Sequence, residues 1–302
     1  MRDFKELLDL SKERGPKTMS VAVAQDKDVL KAIKLAVKER VINPILVGDK
    51  DKILEISKEI DFDTKDIKII NEKDDNIAAM KAVEIVHNGS ADILMKGLVG
   101  TPIIMKAVLN KDLGLRTNNL ISHVAVFDSP EYHKVFLVTD AAMNIAPDLE
   151  QKKGIIKNAV ELAKSLDISI PKVGVLAANE KVSVKMEATV HGEELKNMNK
   201  YGLIDGCIVD GPFALDNAIS KESARIKGIE SQVAGDADIL LAPNIEAGNI
   251  LYKSLSFLAN AKSAGIILGA SAPIVLTSRA DNEETKLNSI VLSVLMASKK
   301  GR

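Results

Sequence analysis

Short apolar segments alternate with longer amphipathic segments along most of this chain of 302 residues. Short runs rich in apolar residues predict buried strands, and these lie at 19–24, 45–48, 67–70 and 91–95. Between them, apolar residues recur three and four positions apart, which is the spacing of one helix face. Consecutive strands joined by helices run parallel and carry those helices on the faces of the sheet. The alternation therefore predicts an α/β fold with a parallel, helix-covered sheet.

Residues 120–138 interrupt the alternation. Two apolar runs, Ile121–Phe127 and Lys134–Thr139, flank a Ser-Pro-Glu-Tyr turn, which predicts a hairpin of antiparallel strands. The length of the chain favours two domains. Because a strand and a helix resume near Pro273, we expect a second domain inserted into the first. The predicted domains are 1–120 with 269–302, and 121–268.

Composition excludes several classes of function. A net charge of −1 offers no basic field for nucleic acid or an anionic membrane, and an aromatic content of 3% argues against base stacking. The four histidines are scattered without metal-ligand spacing, and the lone Cys207 lies in an apolar stretch, as expected of a buried strand residue. No apolar run reaches the ~18 residues of a membrane span, and the N-terminus lacks the pattern of a secretory signal. We therefore expect a soluble, cytoplasmic protein without a metal.

The strongest candidate site lies within residues 273–286. The apolar run Ile274–Leu276 predicts a buried strand, and the apolar spacing after Lys286 predicts an amphipathic helix. Ser278 and Arg279 then place a hydroxyl and a fixed cation at the carboxyl end of a strand and beside a helix N-terminus. Ligands of open α/β sheets bind at such strand ends, and helix N-termini favour anions. The segment therefore predicts an anion site.

The helix after this segment allows a second interpretation. Asp281 and Glu284 are three residues apart, which is the spacing of a capping box, and in that case Ser278-Arg279 is a solvated loop. The residues predicted to form the buried face of the helix are Leu287, Ile290, Val291, Val294 and Leu295.

A glycine-bearing loop follows the strand at 91–95. Gly97 and Gly100 allow backbone to approach a ligand closely, and Thr101 and Pro102 suit the cap and first turn of a helix. The spacing matches neither the dinucleotide-binding fingerprint nor the P-loop, so a loop without a ligand stays open. The candidates for binding a phosphate here are Lys96, Gly97, Gly100, Thr101 and Lys106.

Two strand ends in the predicted second domain carry further candidates. The run 237–241 resembles 91–95 and is also followed by a glycine-bearing loop and a helix. A strand predicted at 203–209 ends at Asp210-Gly211-Pro212, which predicts a loop. The candidate binding residues at these strand ends are Asp210, Asn249 and Lys253.

Five segments in order resemble the phosphate acetyl/butyryltransferase family, and the resemblance runs over essentially the whole chain. The segments are Lys96-Gly97 with Thr101, Thr139–Asn144, Asp210–Ala218, Pro243–Asn249 and Thr277–Asp281. The resemblance implies two three-layer α/β domains of the isocitrate-dehydrogenase-like type, with a cleft between them, and a homodimer or higher homo-oligomer. It also implies a reaction of butanoyl-CoA with phosphate that gives butanoyl phosphate and CoA, with no cofactor, because coenzyme A is a substrate.

The resemblance also implies roles for individual residues. Ser278-Arg279 matches the serine–arginine pair of the acetyl enzymes, and their arginine on the helix after the glycine loop falls here on Lys106. Their catalytic aspartate falls on Thr285, which leaves neighbouring Glu284, or Asp281 one turn earlier, as candidates for the base that deprotonates the CoA thiol. A site without any carboxylate base is the third alternative.

Other functions make different demands on the sequence. A preference for acetyl, propionyl or branched acyl groups would alter the pocket by a few methylenes, each worth ~1–3 kcal/mol. A decarboxylating dehydrogenase that depends on NAD and a metal would share the fold but need clustered aspartates and arginines. A non-catalytic CoA-binding protein would not need Ser278-Arg279. Direct acyl transfer between small-molecule substrates therefore fits these residues best.

Overall fold

The structure, a computed structural model, describes residues 3–277 and 281–299. Contacts divide these residues into two compact units. The first unit comprises Lys5–Asn119 and the described residues from Ala264 onward, and the second comprises Leu120–Ser263 with the described residues up to Phe4. The sequence placed the domain boundaries after residues 120 and 268. Whether each unit is a domain that folds by itself stays a prediction.

Helices and strands alternate through the first part of the chain. Its elements are α1 Phe4–Glu13, β1 Lys17–Ala22, α2 Lys27–Lys38, β2 Ile42–Gly48, α3 Lys50–Glu59, β3 Lys68–Asn71, α4 Asp75–His87, β4 Ile93–Lys96 and α5 Thr101–Val108. Local signals set several helix ends. Asp26 caps α2 by accepting a hydrogen bond from the Val29 amide at 2.8 Å, and Asn88 is the C-cap of α4, before Gly89 with a φ of +73°.

The middle of the chain begins with the predicted hairpin. Its elements are β5 Ser122–Asp128, β6 Phe136–Thr139, α6 Leu149–Ser165, β7 Lys172–Leu176, α7 Glu187–Lys200, β8 Ile208–Phe213, α8 Leu215–Ile219, α9 Lys221–Ile226, β9 Ile239–Leu241 and α10 Ile245–Phe257. Strand β8 corrects the sequence interpretation. Residues 210–212, predicted as a loop, are strand, with Asp210 opposite Gly174 of β7. Cys207 is buried but precedes the strand.

The chain then returns to the first unit through β10 Lys262–Leu268, β11 Ile274–Val275 and α11 Glu283–Lys299. Helix α11 is not the amphipathic helix that its pattern predicted. Ile290, Val291, Val294 and Leu295 are buried as expected, but Leu287 is only half-buried. Leu292, Ser293, Met296 and Ala297, outside the predicted face, are buried as well. The Ser293 hydroxyl can be buried because it donates to the Ile290 carbonyl at 2.6 Å.

The sheet of the first unit has the strand order β3-β2-β1-β4-β11-β10. All pairs are parallel except β10–β11, in which Ile267 lies opposite Ile274. The carboxyl ends of β1, β4 and β11 therefore lie side by side at one edge. In open α/β sheets this is the edge where ligands bind.

The sheet of the second unit has the order β5-β6-β9-β7-β8. The β5–β6 pair is antiparallel, which confirms the predicted hairpin, and the other pairs are parallel. The predicted α/β fold class is confirmed. Within the described parts of the chain, no helix has the length and apolar character that a membrane span requires.

An ionic cluster joins the amino ends of β6, β7 and β9. Asp236 accepts hydrogen bonds from Lys172 Nζ at 2.5 Å and from Lys134 Nζ at 3.0 Å, and Asp238 accepts one from Lys134 Nζ at 2.6 Å. Burial by itself would raise the pKa of Asp236, but the hydrogen bonds from the two lysines outweigh it and hold the pKa below its usual value.

Candidate active site

A pocket of about 180 Å³ lies at the carboxyl edge of the first sheet. Each neighbouring strand end contributes to its wall. The lining residues are Asp26, Asp28 and Val29 after β1, Lys96, Gly97 and Leu98 at the end of β4, Thr277 after β11, and Lys286 on α11. The pocket is thus built from segments far apart in sequence, which the parallel sheet brings to one place.

The β4 end is held tightly against the β1 end. The amide of Gly97 donates to the Ala22 carbonyl at 2.8 Å, and the amide of Leu98 donates to the Val23 carbonyl at 2.7 Å. A Cβ on Gly97 would lie 2.2 Å from the Val23 carbonyl oxygen, so only glycine fits here. Val23 has a φ of +55°, which is strained for a β-branched residue and is the kind of strain that collects at functional sites.

Lys96 is a buried cation in the pocket wall, with 8% of its surface exposed. Its ammonium donates to the carbonyls of Gly97 at 3.2 Å and Val99 at 3.0 Å. Both acceptors are neutral, so these bonds leave its positive charge in place. The sequence placed Lys96 on the phosphate side of a site, and it does line this pocket.

The other predicted residues of the glycine loop are more exposed. Gly100 is the N-cap of α5, and Thr101 is the first helical residue with an exposed side chain that makes no cap bond. The prediction that Thr101 caps this helix is wrong, because the helix begins one residue earlier than that role requires. Lys106 is exposed in the last turn of α5 and does not line the pocket.

Ser278 and Arg279 lie outside the described residues, so their predicted roles stay predictions. The start of α11 is described. The Asn282 side chain accepts the Thr285 amide at 2.8 Å, which makes Asn282 the cap rather than Asp281. The predicted capping box of Asp281 with Glu284 is therefore wrong: Asp281 is half-buried, and Glu284 is exposed on the first turn.

An ion pair ties α11 to α2 beside the pocket. Lys31 Nζ lies 2.6 Å from Glu283 Oε1. The hydrogen bond to Glu283, followed by its charge, raises the pKa of Lys31. Since Asp26 opens α2 and Glu283 opens α11, the pair holds two helix N-termini at the same edge of the sheet. Both helix ends contribute positive potential there.

Two candidates in the second unit have structural partners. Asp210 forms an ion pair with Lys196 at 2.8 Å, and Asn249 Nδ2 donates to the Ala141 carbonyl at 3.1 Å. Lys253 is exposed, with Nζ 5.2 Å from the Tyr252 ring centroid. Their predicted binding roles stay predictions.

Asp140 organises the loop after β6 and was absent from the predicted site residues. Its carboxylate accepts the amides of Ala142 and Met143 at 2.9 Å each, and Asn144 Nδ2 at 2.6 Å. A Cβ on Gly248 would lie 2.3 Å from the Asp140 carbonyl oxygen, so α10 packs directly on this loop. The Thr139–Asn144 motif is thus a loop held by its own hydrogen bonds. In the sequence, a carboxylate followed four residues later by an amide side chain was the signal that could have indicated this loop.

Comparison with known proteins assigns the family. The family described as Phosphate acetyl/butaryl transferase matches residues 75–294, which include the glycine loop and most of α11. The chain belongs to this family. The resemblance found in its sequence motifs is therefore confirmed.

Relatives of the chain are similar over almost its full length. It is 48% identical to a phosphate butyryltransferase of Clostridium beijerinckii over 99% of both chains. It is 45% identical to a phosphate acetyltransferase of Thermotoga maritima, covering 97% of this chain and 99% of that one. A branched-chain phosphotransacylase of Enterococcus faecalis V583 superposes with a TM-score of 0.83 at 35% identity, over 93% of this chain and 99% of that one.

The family assignment gives the pocket a chemical context. Phosphotransacylase chemistry needs a place for phosphate, and a pocket with buried lysines and two helix N-termini suits a small dense anion. Among the described residues, no group of three or more histidine, cysteine or carboxylate side chains is arranged to hold a metal ion. Lys286 also lines the pocket, but it was not predicted as a site residue. No sequence motif contains it, and a lysine in a helix usually indicates an exposed face.

Proposed function

We propose that this protein transfers an acyl group reversibly between acyl-CoA and inorganic phosphate, with butanoyl-CoA as the preferred donor and butanoyl phosphate and CoA as products. The observation that carries the proposal is the 48% identity, over 99% of both chains, to a phosphate butyryltransferase. The pocket at the carboxyl edge of the first sheet supports it, because that pocket offers cationic groups to a phosphate.

The proposed chemistry is a direct attack. A phosphate oxygen forms a bond to the thioester carbonyl carbon, the C–S bond breaks, and CoA leaves as a thiolate that takes up a proton. Burial raises the pKa of the Cys207 thiol to about 11, so Cys207 is a thiol at neutral pH and makes no acyl-enzyme. With no covalent step, orientation of the two substrates supplies much of the rate.

The residues proposed for phosphate are on the β4 side. Lys96 supplies charge in the pocket, Gly97 and Gly100 allow backbone to come close, and Thr101 and Lys106 are proposed to line the phosphate side of the site. Changing Lys106 to Ala should raise the KM for phosphate more than the KM for acyl-CoA. Unchanged phosphate kinetics would mean that Lys106 is only a solvated helix residue.

The residues proposed for the reacting centre follow β11. Arg279 stabilises the thiolate and the developing oxyanion, and Ser278 donates a hydrogen bond to the carbonyl oxygen or the sulfur. Glu284, or else Asp281, takes the thiol proton in the reverse direction. Asp210, Asn249 and Lys253 are proposed to bind CoA.

The preference for one acyl group is a separate part of the proposal. The 45% identity to a phosphate acetyltransferase is close to the 48% identity to a butyryl enzyme, which makes acetyl transfer the second candidate. A panel of acetyl-, propionyl-, butanoyl- and isobutyryl-CoA with phosphate tests both. We expect thioester loss matched by acyl phosphate, trapped as the hydroxamate, and the largest kcat/KM for butanoyl-CoA.

Controls in the same assay test the alternatives. Activity should persist after dialysis against a chelator and without NAD, because no metal or redox cofactor takes part. A chain that binds acyl-CoA but releases no acyl phosphate would contradict the proposed transfer. We also propose that the protein is cytoplasmic and forms a homodimer or a higher homo-oligomer, and light scattering of the purified protein measures the mass of the assembly.

A further inference from the structure

The pocket of the first unit contains a second buried lysine that no sequence motif indicated. Lys286 is the fourth residue of α11, and only 3% of its surface is exposed. It lines the same pocket as Lys96, which is 8% exposed. A buried ammonium is costly unless hydrogen bonds or an opposite charge compensate it.

The protein compensates the buried positive charge of Lys286 only in part. Among the described residues, its ammonium makes one hydrogen bond, to the Asp281 carbonyl, and it forms no ion pair with a carboxylate. An ammonium group has three N–H donors, so two directions have no protein partner in the described part of the chain. A carbonyl leaves the positive charge of the lysine uncancelled.

The two carboxylates that line the pocket are not arranged to neutralise this lysine. Asp26 accepts the amide of Val29 at 2.8 Å and so is used as the cap of α2. Asp28 is exposed on the first turn of the same helix. The N-termini of α2 and α11 add positive potential at this edge.

We infer that Lys286 binds a phosphoryl oxygen of a substrate, as a second cation that lines the pocket together with Lys96. This inference rests on the proposed function, because that function supplies phosphoryl groups in inorganic phosphate, acyl phosphate and CoA. A phosphate oxygen would accept the two remaining N–H groups and balance the charge. The Asp281 carbonyl then orients the ammonium toward the pocket.

Two variants separate this role from a purely structural one. Lys286→Gln keeps a donor for the Asp281 carbonyl but removes the charge, and Lys286→Arg keeps both. Lys65→Gln is the matched control, because Lys65 is exposed and precedes β3, at the opposite edge of the sheet. If Lys286→Gln does not fold, Lys286→Met, which keeps an unbranched stem of similar length, replaces it.

We expect the KM for inorganic phosphate to rise ~10- to 100-fold in Lys286→Gln, the size of a lost charge-assisted hydrogen bond. Lys286→Arg should recover most of that loss, and Lys65→Gln should match the wild type. A rise confined to the KM of butanoyl-CoA would also support a phosphoryl contact, and would assign it to the CoA phosphates. An unchanged KM for both substrates in a folded Lys286→Gln enzyme would overturn the inference.

A binding measurement distinguishes failure of this inference from failure of the proposed function. Inorganic phosphate alone should raise the melting temperature of the wild type above that in chloride of equal ionic strength. The rise should disappear in Lys286→Gln and persist in Lys65→Gln. A wild type without transferase activity would contradict the proposed function. An equal phosphate effect on all three proteins, together with an unchanged KM for butanoyl-CoA in Lys286→Gln, would contradict the role of Lys286.

Discussion

Lys152 Nζ lies 2.8 Å from His191 Nδ1 in the second unit, where α6 meets α7. Lys152 is 3% exposed, and burial lowers its pKa. Burial, and then the positive charge of Lys152, also lower the pKa of His191, although Glu187, Glu194 and Asp148 oppose this. A neutral His191 accepts a hydrogen bond from the Lys152 ammonium, whereas a protonated His191 would place two cations in contact.

This pair predicts a loss of stability in mild acid. The unfolded chain binds a proton at the usual histidine pKa near 6.5, while the folded protein resists protonation until a lower pH. Stability contributed by neutral His191 is therefore full above that value and is lost as the pH falls below it. Melting curves from pH 8 to pH 5 should show a shallower decline for His191→Asn than for the wild type. Parallel curves for the two proteins would refute the prediction.

Removing a carboxylate from the ionic cluster at the amino ends of β6, β7 and β9 should destabilise the protein more than removing one from an exposed ion pair. Asp236→Asn should lose ~2–3 kcal/mol of unfolding free energy, because charged hydrogen bonds to Lys134 and Lys172 disappear. Glu222→Gln, which breaks an exposed pair with Arg225, should change stability by less than about 1 kcal/mol. Urea unfolding measures both. Equal effects would show that the cluster contributes no more than a surface pair.

Two glycines of the same loop should differ sharply when changed to alanine. At Gly97 the added Cβ would meet the Val23 carbonyl oxygen at 2.2 Å, whereas at Gly100 its nearest neighbour is Pro102 Cδ at 3.8 Å. We expect Gly97→Ala to cost ~2 kcal/mol or more, and Gly100→Ala to cost ~1 kcal/mol or less as a change at a helix cap. Thermal unfolding decides this, and a stable Gly97→Ala protein would mean that β1 and β4 separate easily.

Variants at the start of α11 distinguish a capping residue from a catalytic base. Asn282→Ala should lose ~0.5–2 kcal/mol of stability with little loss of rate, because its side chain accepts the Thr285 amide. A base behaves oppositely: Glu284→Gln should lower the rate of CoA consumption by ~10²-fold or more while the melting temperature holds. The same pair of measurements on Asp281→Asn tests the other candidate. If neither carboxylate variant loses rate, the thiol is deprotonated without a carboxylate.

Arg279 is expected to contribute most to turnover. Arg279→Ala should fold normally and lower kcat by ~100-fold or more, the size of a lost oxyanion donor. Arg279→Lys should recover only part of the rate, because lysine lacks the two-pronged donor of arginine. Circular dichroism and steady-state kinetics test both variants together. A folded Arg279→Ala enzyme with nearly normal turnover would exclude this role.

Several features were predictable because they depend on residues close together in sequence. The alternation of apolar runs and helical spacing predicted the α/β class, and the Ser-Pro-Glu-Tyr turn at 129–132 predicted the β5–β6 hairpin. Helix ends at Asp26 and at Asn88 with Gly89 are likewise set locally, because caps are local hydrogen bonds and backbone angles. Five ordered motifs identified the family before any fold was known.

Other features were decided only by tertiary contacts. Residues 210–212 contain glycine and proline and were predicted as a loop, yet they extend β8 because β7 pairs beside them. Asn282 rather than Asp281 caps α11, and that helix is buried on nearly all sides from Asn288 to Ala297. Such outcomes depend on neighbours that are distant in sequence, so local spacing does not encode them.

Lys286 shows the same difference between local sequence pattern and tertiary packing at the candidate site. In the sequence it is one of many helical lysines, and nothing in its neighbourhood separates it from an exposed one. The structure buries it because the parallel order β1-β4-β11 brings Asp26, Lys96 and Thr277 to the edge where α11 begins. The sequence alone determined the family and the class of fold through local patterns. The burial of this charge was decided by packing between segments separated by up to 260 residues, from Asp26 to Lys286.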